Sequence, residues 1–149
     1  MDLEIVRDIR NRIEEEREKV KALRLTMSLP TARLDGLPRS HSLESRVEGL
    51  AVHLVDAEQK VERLEAECDK ASASLFDEIQ RRVRTPVHVA MLVMRYISCL
   101  SFRTIARKSD YSLRQVFRLV KRAEEEFYHS WQHDSGTSAE NEFSSFAAT

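Results

Sequence analysis

The chain has 149 residues, 42% hydrophobic and 33% charged, with three Gly, three Pro and a formal net charge of −1. That length suits one ordinary domain or a small domain plus an extended element, and so little Gly and Pro with few strand signals selects an all-α protein with long exposed helices. No run is apolar enough to cross a bilayer and the opening MDLEIVRDIR lacks signal-peptide character, so a cytoplasmic protein with no membrane partner is expected.

The first helix is expected over Leu3–Met27. Val6, Ile13, Val20 and Met27 recur every seven residues, Ile9 and Leu23 fill the second heptad position, and Glu16 is the one interruption. Its outer face is dense in charge, with Glu15 and Lys19 placed to attract. Pro30, Gly36 and Pro38 then break the pattern over Ser28–His41, a hairpin tip in which Arg33, Arg39 and His41 are the residues a partner would meet. A second helix is expected from about Leu43 to Arg84. Val47, Leu54, Val61, Cys68 and Leu75 take one heptad position and Leu50, Ala57, Leu64 and Ala71 the other.

At about 1.5 Å per residue the second helix is on the order of 60 Å long and the first nearer 37 Å. Antiparallel folding therefore leaves Cys68, Ala71, Leu75, Phe76 and Ile79 without a cover from the first helix. A second copy of the chain or the C-terminal region are the two candidates to cover them, and a homodimer through the coiled coil is the preferred expectation.

Thr85 and Pro86 restart the chain as cap and first helical residue. A helix over Val87–Ile97 is expected to bury Val87, Ala90, Met91, Met94 and Ile97, with His88 a surface or packing residue. Cys68 and Cys99 fall at apolar helical positions and read as buried free thiols, and no histidine has ligand spacing with them, so no metal or other cofactor is expected.

The stretch Ser101–Arg122 then carries a helix-turn-helix pattern. Ser101 caps a short helix with Phe102, Ile105 and Ala106; Ser109, Asp110 and Tyr111 form a break; Ser112 caps a second helix with Leu113, Val116, Leu119, Val120 and Ala123 at 3–4 spacing. Asp110 sits where a left-handed residue is needed, and Val116 is placed to plug the gap between the helices. Between Arg81 and Ala123 stand eleven basic residues and one acid, Asp110, a net of +10. The remaining 13 basic and 24 acidic residues give −11, so the near-neutral total conceals a polycationic segment of nucleic-acid-binding type. Glu124, Glu125 and Glu126 follow, then Phe127, Tyr128 and Trp131, which are expected to pack back on the long helices.

Several of these residues resemble the phage-encoded transcription regulators of the ArpU and RinA type, whose C-terminal part is like region four of sigma factors. The resemblance spans Ile5 to Phe127 and rests on the GLPRSH loop at Gly36–His41, the long charged helix, and MRYISCLSFRTIARKSDYSLRQVFRLVKRAEEEF from Met94. Arg95 and Tyr96 lead into the helix pair, Ile105 and Ala106 follow, and Tyr111 and Ser112 open the second helix, as in that family. Ser109 departs from the usual apolar residue and Asp110 from the usual Gly. The resemblance implies activation of phage late genes in the bacterial host by binding promoter DNA, with RNA polymerase a further contact.

The expected organisation is thus a long N-terminal antiparallel helical hairpin over 1–84, a helix-turn-helix DNA-binding domain over 85–131 and a disordered tail over 132–149. Double-stranded DNA is the expected partner. Ser112, Arg114, Gln115 and Arg118 are the candidate base readers, since Arg pairs with guanine and Gln with adenine through two hydrogen bonds. Arg103, Arg107, Lys108, Lys121 and Arg122 are the candidate phosphate contacts. Phe117, apolar beside the groove face, is expected to pack on another helix; touching a thymine methyl is the less favoured alternative. A phage DNA-packaging or structural coiled-coil protein is the alternative. An enzyme is not expected, for the chain shows no glycine-rich phosphate loop or metal-ligand cluster and no small-molecule site.

Overall fold

The computed structural model describes the backbone of residues 2–28 and 42–140, with side chains described for 2–28 and 46–130. Within these the protein is all-helical. The helices are α1 (Ile5–Ser28), α2 (Ser42–Arg82), α3 (Pro86–Leu92), a π-helical turn (Val93–Ile97), α4 (Phe102–Ser109) and α5 (Leu113–Glu140). The loop residues Arg33, Arg39 and His41, the GLPRSH motif and the side chain of Trp131 lie outside the described residues.

The chain separates into two compact units, one of Asp8–Lys70 and one of Met1–Arg7 with Ala71–Thr149. In the first, α1 and α2 form an antiparallel hairpin. Arg17 pairs with Glu65 and Arg24, two turns on, with Glu58, each at 2.6 Å, so partners descend α2 as they climb α1; between them Lys60 reaches Glu16 at 2.7 Å. The heptad residues Ile9, Ile13, Val20, Leu64 and Cys68 are buried in this seam. Glu16 is buried with them, and its carboxylate stays charged because Lys19 at 2.8 Å and Lys60 hold it below the usual carboxylate pKa. Lys19 turns to Glu16 at i−3; its expected partner at i−4, Glu15, is exposed.

The second unit buries Leu75 and Ile79 completely, with Val83, Leu92, Tyr96 and Phe127 also buried. Of the two candidate covers for this part of α2, a second copy or the C-terminal region, the C-terminal region already buries Leu75 and Ile79 within the single chain. The Arg82 guanidinium lies 4.9 Å from the centroid of Phe127 on α5, so the end of α2 is covered from within the chain. The resemblance of period between heptads and an ordinary buried helix stripe is the reason the sequence could not separate the two.

The expected helix over Val87–Ile97 is two pieces. Ser98 N donates to Val93 O at 2.9 Å, an i to i−5 bond that widens the turn, and Leu100 N donates to Met94 O at 3.0 Å. The inward-facing side chains differ from the expected set: Met91, Leu92 and Tyr96 are buried, while Val87 and Ala90 are exposed. Cys99 is not a helical residue either. It ends the π turn with φ 53°, half-buried, a left-handed closure usually left to Gly or Asn.

Thr85 occupies the N-cap of α3 with Pro86 behind it, but its side chain makes no capping bond. The cap comes from α5. Glu126 Oε1 accepts from Arg84 N at 2.8 Å and Thr85 N at 3.4 Å, and Oε2 lies 2.6 Å from His88 Nδ1. At its far end α5 continues to Glu140, past residue 132 where order was expected to end.

Candidate nucleic-acid interface

Helices α4 and α5 are joined by Asp110, Tyr111 and Ser112. Ser101 caps α4, its hydroxyl accepting from Thr104 N at 3.2 Å. Asp110 takes the left-handed conformation, φ 56° and ψ 20°, that reverses the chain. Ser109, the polar residue at a usually apolar position, turns its hydroxyl back to donate to Ile105 O at 2.7 Å, which satisfies it inside the bend. Ile105, Val116 and Val120 with Met91 of α3 form the buried core of the pair, and Ala106, Leu119 and Phe102 pack against it. Val116 is fully buried, the plug its spacing predicts.

At about 100° per residue, the buried stripe Val116, Val120, Ala123 and Phe127 leaves Arg114, Arg118, Lys121 and Arg122 on the opposite side of α5. All four are exposed, as are Arg103, Arg107 and Lys108 on α4. Among the described residues, none of these seven cations forms an ion pair.

Two of the three acids that follow them, Glu124 and Glu126, are engaged elsewhere. Glu124 accepts a short hydrogen bond from the Tyr96 hydroxyl, and burial together with that carboxylate pushes the Tyr96 pKa far above the phenol range. Burial pushes the pKa of Glu126 up, but His88 and the two backbone donors outweigh it and leave the carboxyl below its ordinary value. Only Glu125 of the three is exposed.

Two candidate base readers are engaged with each other. Gln115 N donates to Ser112 Oγ at 3.3 Å, and Ser112 N donates to Gln115 Oε1 at 2.9 Å, a reciprocal capping box that starts α5. Arg114 and Arg118 carry no such commitment. Of the eleven basic residues in the cationic segment, three serve the fold: Arg81 and Arg82 pair with Glu78, and Arg95 Nη1 donates to Leu100 O at 3.1 Å. Comparison of the chain with family models, curated proteins and solved structures finds no match.

A feature the sequence left half-read is aromatic. Phe117 stacks on Phe102 with ring centroids 4.2 Å apart, and the Arg95 guanidinium lies 4.3 Å from the Phe102 centroid on top of it. The expectation that Phe117 packs on another helix is met, yet half of it stays in solvent beside Leu113, also exposed. The helical spacing of Phe102 and Phe117 alone gives no hint of this, because they meet only through the turn at Asp110. No group of three or more His, Cys, Asp or Glu side chains able to hold a metal occurs among the described residues.

Proposed function

We propose that the chain is a sequence-specific DNA-binding transcription regulator that uses α4 and α5 as a helix-turn-helix. The observation that carries this is the set of seven exposed cations spread over both helices, none of them in an ion pair among the described residues, while Glu124 and Glu126 of the same helix are engaged by Tyr96, His88 and the backbone ahead of α3. A surface left uncompensated within the chain is matched by a dense line of phosphates, which such cations bind with release of counterions. Helix α5 enters the major groove with its first turns leading, Arg114 and Arg118 read guanine edges, and Arg103, Arg107, Lys108, Lys121 and Arg122 hold phosphates. Ser112 and Gln115 start the helix, and the Gln115 amide nitrogen remains a donor toward a base.

Membership of the ArpU and RinA type, activation of phage late genes and contact with RNA polymerase belong to the same proposal and rest on the residues quoted for the resemblance. Pairing of two copies is part of it too. Val47 and Met27, both heptad residues, are exposed in the single chain and supply an apolar seam for a twin. Sedimentation of the full chain tests the pairing; a fragment ending at residue 84 would bare Leu75 and Ile79 and give a false positive.

The test of the main reading is selection of bound duplexes from a random library by the full-length protein at modest ionic strength. A recurrent site, with affinity falling steeply as salt rises, is expected. Failure to retain any duplex overturns the reading.

A further inference from the structure

Resting on the DNA-binding reading, we propose that Phe117 is a specificity-determining residue whose ring closes on the C5-methyl group of a thymine in the major groove. Its placement is what points there. Phe117 lies one turn from Arg114 on one side and from Lys121 on the other, so it forms the apolar edge of the cationic face of α5. Phosphates and guanine edges offer nothing to such a ring. The thymine methyl is the apolar group that a base pair shows in the major groove.

The ring is also held in place. One face is covered by Phe102 at 4.2 Å, Phe102 lies under the Arg95 guanidinium at 4.3 Å, and Arg95 is tied to Leu100 O at 3.1 Å. That chain of contacts fixes the orientation of Phe117 before any ligand arrives, so little side-chain freedom is lost on binding. With one face covered, the ring cannot insert between two bases and stack on both. What remains open is an edge and one face, 50% of the residue, with Leu113 extending the apolar surface one turn earlier at 41%. A small apolar group approaching from the groove floor fits this; a polar one would strip water from itself without a partner.

The experiment uses the duplex recovered by selection and a set of duplexes in which each thymine in turn is replaced by deoxyuridine, which keeps the base pair and removes only the methyl. The intact protein is expected to bind about four-fold more weakly at one or two of these positions, the loss that corresponds to one buried methyl. Phe117→Ala should bind the thymine and deoxyuridine forms alike at those positions, and Phe117→Leu, which keeps an apolar side chain and the helix-pair packing, should retain part of the preference. Indifference of the intact protein to deoxyuridine at every position overturns the inference while leaving the DNA-binding reading standing, and so does a preference that survives in Phe117→Ala. Failure to retain any duplex removes both.

Discussion

The Asp8–Lys70 unit and the α4–α5 pair of the other unit use charge in opposite ways. In Asp8–Lys70 the cations answer carboxylates of the same hairpin: Arg17 with Glu65, Arg24 with Glu58, and Lys19 and Lys60 with the buried Glu16. In α4 and α5 seven cations form no ion pair among the described residues, and Glu124 and Glu126, which follow them in sequence, bind a tyrosine, a histidine and a helix N-terminus. The same residue types therefore zip the hairpin to itself and leave the exposed face of α4 and α5 without ion pairs among the described residues. Local charge density does not separate these cases; direction of the acids does.

The largest effect should come from the core of the unit that carries the cationic pair. Leu75→Ala is expected to cost about 2–5 kcal/mol in denaturant unfolding, the range for emptying a fully buried leucine site. A cost near zero would mean that the second part of α2 is not core to that unit. Next, Arg114→Ala or Arg118→Ala should lose about 1–3 kcal/mol on the selected duplex and relax preference at one base position. Because neither has an ion-pair partner, unfolding stability should stay within about 0.5 kcal/mol of the parent. A comparable drop in stability would erase the contrast between the units.

The acid limb of stability sharpens the same contrast. The carboxyl of Glu126 titrates below its ordinary value when folded, so its contribution is present above the unfolded carboxylate pKa and is lost as pH falls through the lower, folded one. Glu126→Gln should flatten stability across that acidic window, and thermal melts against pH would show an unchanged slope if the cap were idle. Smallest of all, Arg24→Ala in the hairpin should cost less than about 1 kcal/mol, and less still in high salt, since both partners are largely exposed.

Much of the α4–α5 pair was legible from residue identity. Ser101, Asp110, Ser112 and Val116 each do what their chemistry predicts, because caps, left-handed turns and small cores are set by residues a few positions apart. The hairpin seam was legible for the same reason of period, including Glu16 as its interruption. The reach of the cationic face was read too widely: Arg82 and Arg95 belong to the fold, which only their partners Glu78 and Leu100 reveal.

From the amino-acid order alone came the helical class, the paired heptads, the capped turn and the uneven distribution of charge, since each depends on local spacing and side-chain chemistry. Tertiary structure decided the rest: that Leu75 and Ile79 are covered from within the chain, that Glu126 caps a helix begun forty positions earlier, and that Phe117 is clamped against Phe102. Such contacts join residues distant in sequence, and the free energy that selects them belongs to packing and desolvation across elements, which no local period records.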